Sequence, residues 1–214
     1  MKTNQEYKNM ALDALKGNWA PAVVSSIIVM GLTYLIIGPY VSSFIYQLLS
    51  VVWWGLGIAY AGLFLVYMPL NVGVTYAYYQ LYAHSDTRVT ENMFENMAGG
   101  YLKVVWTMFL YFLYTFLWSL LLFVPGIIKA YSYALTPYIL KDNPDLSANQ
   151  AIDLSRRMMK GHKFELFYLH LSFLGWGILT IFTGGIGVLW LMPYMLTSQA
   201  AFYQDIKKEY PIEY

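Results

Sequence analysis

From Gly17 to Ala83 the chain runs 67 residues without a single Asp, Glu, Lys, Arg or His. A helix needs about 20 consecutive, mostly apolar residues to cross about 30 Å of hydrocarbon. The run is long enough for two crossings and a connection. A soluble domain of 214 residues would have to hide all of it in one small core. Only 12% of the chain is charged, against about 25% in an average globular domain. An integral membrane protein built from helices is therefore expected. The chain has no Cys, which excludes disulfides, thiolate metal sites and Cys nucleophiles. Its polar, amphipathic first 16 residues and the length of the apolar run after them do not read as a cleaved signal peptide.

Six spans are expected: Trp19 to Ile37, about Leu56 to Ala83, Tyr101 to Val124, Gly126 to Leu140, about Phe164 to Phe182, and Ile186 to Ile206. Val124-Pro125-Gly126 is expected to separate the third from the fourth, and Thr183-Gly184-Gly185 the fifth from the sixth. Six spans place the N-terminus, the segments 84–100 and 141–163, and the C-terminus on one face, with 12 of the 13 Lys and Arg on it or at its boundary. Lys and Arg concentrate on the cytoplasmic side, so this face is read as cytoplasmic. Lys129 is the exception, read as snorkelling outward from span four. A seventh span over 40–54 would move Arg156, Arg157, Lys160 and Lys163 outside, against the charge rule. Residues 38–54 are therefore read as an apolar outer connection.

The cytoplasmic segments share a plan. Thr3-x-x-Glu6 and Ser147-x-x-Gln150 are capping boxes. Behind the first, Tyr7, Met10, Ala11, Ala14 and Leu15 recur at helical spacing; behind the second, Ala148, Ala151, Ile152, Ser155 and Met159 form a weaker apolar face. Each segment ends on a glycine, Gly17 and Gly161, suited to a left-handed helix end. Thr90 to Gly100 is a shorter, looser version, with Met93, Phe94 and Met97 on one side. Asp153 is placed to pair with Arg157. "MPLNVGVTYAYYQ" at 68–80 and "MPYMLTSQAAFYQ" at 192–204 also correspond. The expected architecture is one all-α domain over 1–214, three helical hairpins each preceded by a cytoplasmic amphipathic helix, in repeat units 1–83, 84–140 and 141–214.

The stretch 117–176 contains Val-Pro-Gly-Ile, Tyr-Ser-Tyr, Asp-Asn-Pro-Asp, Ser-Arg-x-Met-Met-Lys-Gly-His-Lys and Leu-Ser-Phe-x-Gly-Trp. With "TGGIGVLWLMPYMLTSQAAFYQD" further on, it strongly resembles a bacterial family of integral membrane proteins, domain of unknown function 975. The likeness covers about 90–206, with "ALKGNW" also fitting and 38–60 distinct. It implies a multi-pass protein of the bacterial cytoplasmic (inner) membrane, and brings no activity.

Candidate chemistry is sparse. No HExxH, P-loop or GxSxG pattern occurs, and His84, His162 and His170 have no metal-ligand spacing. No enzyme activity, cofactor, metal or nucleic-acid partner is expected. His170 is an intramembrane ionisable group, read as neutral and bonded to Tyr or Ser of a neighbouring helix. Asn71 and Gln199 are read as bonds between helices. Gly126, Ala130 and Ala134 form a ridge of small residues for helix packing. Arg156, Arg157, Lys160 and Lys163 are read first as topology and contact with anionic lipid head groups, and second as a docking site for an unidentified protein partner. The function expected is a non-enzymatic scaffold or accessory envelope protein; the alternative is a transporter or permease for a small or lipidic solute.

Overall fold

A computed structural model describes residues 2–43, 61–121 and 123–210. Among them, all regular structure is helical. The elements are α1 (Asn4–Leu15), α2 (Trp19–Ser43), a π-turn (Leu63–Tyr67), α3 (Met68–His84), α4 (Val89–Ala98), α5 (Tyr101–Leu121), α6 (Phe123–Tyr133), α7 (Thr136–Asp142), α8 (Ala148–Met158), α9 (Lys163–Leu171), α10 (Leu174–Phe182) and α11 (Val188–Glu209). Helix α2 continues past Ile37, through Pro39, to Ser43. This corrects the first part of the connection expected over 38–54; the rest of it, and the expected start of span two, lie outside the described residues.

Both capping boxes form. The Thr3 hydroxyl accepts the Glu6 amide at 3.3 Å, while the Glu6 carboxylate accepts the Thr3 amide at 2.6 Å and hydroxyl at 2.8 Å. These bonds hold the Glu6 carboxyl below its ordinary pKa. Ser147 and Gln150 repeat the exchange at 3.4 and 2.7 Å. Helix α4 has no side-chain cap, as its looser sequence suggested, and Phe94 is exposed rather than sharing a face with buried Met93. All three amphipathic helices are followed by a left-handed glycine: Gly17 at φ +81°, Gly100 at +70° and Gly161 at +96°.

Two breaks differ from expectation. Val124-Pro125-Gly126 is not the separator of spans three and four but lies in the first turn of α6, where a missing N–H costs little. The fourth expected span instead breaks at Ala134-Leu135, before Pro137, which cannot continue the backbone ladder. Ser155 of α8 closes that break: its hydroxyl donates to the Ser132 carbonyl at 3.0 Å and accepts the Leu135 amide at 3.2 Å. The fifth expected span breaks at Ser172-Phe173. There Lys8 of α1 donates to the Ser172 carbonyl at 2.7 Å, its ammonium 4.3 Å from the Phe173 ring centre. Burial pushes the Lys8 ammonium below its ordinary pKa. Two amphipathic helices thus each satisfy a carbonyl where a longer helix is interrupted.

Packing is concentric. Helices α3 and α11 lie at the centre, against each other, with Leu70, Val72, Ala77, Tyr78, Ala200, Ala201, Phe202 and Tyr203 buried. Gly73 is required there, because a Cβ would meet the backbone of Met93 and Met97 in α4. Large apolar side chains face outward elsewhere: Leu102, Trp106 and Leu120 on α5, and Leu174, Ile181 and Phe182 on α10. Two stretches are long and apolar enough to cross a membrane, Tyr101–Leu120 and Lys163–Phe182; a third counts if α1 and α2, meeting at 102°, form one bent span. Helices α3 and α11 carry more polar groups, and neighbouring helices cover them. The amphipathic helices dock in a cycle: α4 on α3, α8 on α5 and α7, and α1 on α11.

Ser155→Ala should leave the Ser132 carbonyl and the Leu135 amide without their partner in a buried site, a loss of about 1–3 kcal/mol. Thermal unfolding of the purified protein in one detergent should show a lower midpoint, whereas exposed Arg157→Ala should leave it nearly unchanged.

Candidate functional site

Three tyrosines from α3, α7 and α11 meet at the centre. Ring centres lie 5.3 Å apart for Tyr79 and Tyr203, 6.0 Å for Tyr79 and Tyr138, and 4.7 Å for the stacked Tyr138 and Tyr203. Beside them sits Asp142, the last residue of α7, its side chain only 7% exposed. One carboxylate oxygen accepts the Tyr76 hydroxyl at 2.7 Å; the other accepts the Tyr203 hydroxyl at 2.7 Å and the Lys207 ammonium at 2.6 Å. The Lys207 ammonium also lies 5.9 Å from the Tyr79 and Tyr203 ring centres. A negative charge at a helix C-terminus is opposed by the helix dipole and costly to bury unless paired. Three donors from two other helices offset both effects. With both of its oxygens engaged by these donors, the carboxylate serves as a fastener between helices.

Neighbouring contacts extend the join. Lys2 of the N-terminal segment pairs with Asp205 at 2.6 Å. Lys141 donates to the Asn96 carbonyl and, at 2.6 Å, to that of Gly99, capping α4. His162 stands between Glu165 at 2.8 Å and Glu209 at 3.5 Å, joining the start of α9 to the end of α11. Among the described residues no group of His, Asp and Glu is arranged to hold a metal ion.

The basic residues singled out in the sequence divide into two pairs. Arg156 and Arg157 lie on the exposed face of α8 and share Asp153, at 2.5 and 3.3 Å. Lys160 and Lys163 instead line a groove of about 330 Å³ with Gly161, Ile127, Ile128, Tyr131, Phe164 and Phe167. His170 lies behind that groove, with Nδ1 3.3 Å from the Tyr131 hydroxyl and the Gln199 amide alongside. Its tyrosine partner was expected. Asn71 differs from expectation: its amide donates to Tyr67 of the same chain segment at 3.0 Å, satisfying a carbonyl at the π-turn. Gly126 packs against Ser119 of α5, as a small-residue contact should. A second cavity, about 420 Å³, is lined by Trp19, Trp176 and Trp190 among others.

Asp142, Tyr76, Lys8 and Ser155 were not singled out by the sequence. Asp142 was visible only as the first residue of Asp-Asn-Pro-Asp, where a Lys-Asp pair at the end of an apolar stretch is the available signal. Its partners lie 61 to 66 positions away, beyond any local pattern.

Tyr203→Phe should remove a bond to a charged acceptor and lower stability by about 1.5–3 kcal/mol. Tyr138→Phe should be neutral or stabilising, since its buried hydroxyl has no partner among the described residues. Thermal unfolding of both variants in one detergent tests the contrast; equal losses would remove the fastener role of Asp142.

No curated protein and no solved structure matches the chain. A family model described as "Protein of unknown function (DUF975)" matches residues 62–210. The matched region begins just before the π-turn and ends just after α11, so it contains Asp142, its three donors and the groove. The chain belongs to the DUF975 family.

Proposed function

We propose that the protein is a non-enzymatic, multi-pass component of the bacterial inner membrane, a scaffold or accessory factor of the envelope. Six spans would comprise α2, the π-turn with α3, α5, α6 with α7, α9 with α10, and α11, with both termini cytoplasmic. The asymmetry of Lys and Arg supports this orientation. The glycine-terminated amphipathic helices, their cyclic docking and the central tyrosines support three units, 1–83, 84–140 and 141–214. Helices α1 and α8 would then lie at the cytoplasmic boundary, with Arg156, Arg157, Lys160 and Lys163 toward anionic lipid.

The observation that carries the reading is the closure of both helix breaks by side chains of α1 and α8. A permease is the second reading, favoured by the interrupted helices and interior carboxylate, since transporters use broken helices to coordinate solutes. Here Lys8 takes the Ser172 carbonyl, Ser155 takes the Ser132 carbonyl, and Lys207 and two tyrosines take Asp142. Groups committed in this way favour a fixed framework over a gated path.

The chain has no Cys, so single cysteines report topology directly. Gln5→Cys, Thr87→Cys, Asn149→Cys and Tyr210→Cys should react with a membrane-impermeant maleimide only after the cytoplasmic face is opened. Phe182→Cys should react in intact spheroplasts. Labelling of Asn149→Cys from outside would remove the six-span arrangement.

A further inference from the structure

The groove between α6 and α9 unites two kinds of surface. Its walls are Ile127, Ile128, Tyr131, Phe164 and Phe167, and its rim carries Lys160 and Lys163 about left-handed Gly161. Its volume, about 330 Å³, falls at the lower end of the range of about 300–1,000 Å³ for small-molecule sites. Among the described residues, neither lysine has a carboxylate within ion-pair distance, although Arg156 and Arg157 next to them are paired. The nearby Glu165 carboxylate is held by His162. The first turn of α9 starts at this rim with no side-chain cap, so its first amides have no side-chain acceptor.

We propose that this groove holds one anionic phospholipid, with its phosphate between Lys160 and Lys163 and an acyl chain along Ile127, Ile128, Phe164 and Phe167. The charge complement selects this occupant. A free anion would leave the apolar walls uncovered, and a neutral hydrocarbon would leave two ammonium groups without a counter-charge. Only an anion joined to a hydrocarbon chain satisfies both. The proposal rests on the membrane reading above and adds to it a single bound lipid in place of diffuse attraction to the surface.

Native mass spectrometry of the full chain, extracted in detergent and titrated with dioleoyl phosphatidylglycerol or dioleoyl phosphatidylcholine, tests it. One phosphatidylglycerol should bind in preference to phosphatidylcholine, and inorganic phosphate should not displace it. Lys160→Gln with Lys163→Gln should weaken binding about thirty-fold, from two near-surface charges. Lys160→Arg should retain it. Arg156→Gln with Arg157→Gln, the same loss of charge outside the groove, should change it by less than about threefold, well below the two-charge effect. Ile128→Trp, at a half-exposed position able to take a larger side chain, should weaken binding with no change of charge. Equal loss in the arginine pair, equal binding of phosphatidylcholine, displacement by phosphate alone, or a second copy of the chain in the groove would each overturn the proposal. Membrane fractionation separates the two readings. A chain absent from the membrane fraction defeats the membrane reading, and a membrane-embedded chain that retains no phosphatidylglycerol defeats the groove alone.

Discussion

One carboxylate sets the geometry of the interior. Asp142 is nearly sealed from solvent and ends a helix whose dipole opposes its charge. It is tolerable only where Tyr76, Tyr203 and Lys207 reach it together. That requirement fixes the rotation and height of α3 and α11 relative to α7. The stacked tyrosines follow from the same register, since Tyr79, Tyr138 and Tyr203 lie within one turn or so of the residues that reach the carboxylate or of Asp142 itself. A slide of one residue in any of the three helices would leave a buried charge short of a donor, at a cost of several kcal/mol. Apolar packing alone is more forgiving of such slides.

The same centre explains why hydropathy identifies some helices and passes over others. Helices α5 and α10 turn large apolar residues outward, among them Trp106, Leu120, Ile181 and Phe182, and these belong to the stretches long and apolar enough to cross a membrane. Helices α3 and α11 are surrounded by other helices. They can therefore carry Ser, Thr, Tyr and Gln, which find partners within the bundle. Ser198 returns its hydroxyl to Tyr194, and Thr197 to Pro193, so a polar side chain in an interior helix need not reach outside it.

Local features were legible in the sequence, and contacts across long separations were not. The Thr3 and Ser147 caps, the glycines that end α1 and α8, the pairing of Asp153 with Arg157 and the tyrosine beside His170 all follow from short-range spacing or residue chemistry. The family resemblance likewise rested on contiguous motifs, and the match over 62–210 agrees with it. Proline alone does not locate the breaks: Pro125 and Pro137 both stand in the first turn of a helix, where the missing N–H costs little, while Pro39 and Pro193 lie inside α2 and α11. Lys8 and Ser155 read as ordinary members of amphipathic segments, since nothing nearby in sequence reveals the carbonyls they meet. The split between Arg156 with Arg157 and Lys160 with Lys163 depends on where α8 ends and α9 turns.

The cyclic docking of the amphipathic helices has a consequence for assembly. Helix α4 docks on α3, and α8 on α5 and α7, each on elements made before it. Helix α1 docks on α11, and the Lys2–Asp205 pair closes a separation of 203 residues. During synthesis α1 emerges well ahead of its partner. Until α11 is in place, Tyr7 lacks the edge-on contact with Phe202 that covers it in the finished fold, whereas Leu15 already has a cluster of residues from α2, α3 and α4 to pack against. The ring of helices therefore closes last at the junction of its two ends, and a chain stopped short of α11 lacks the main docking surface of α1.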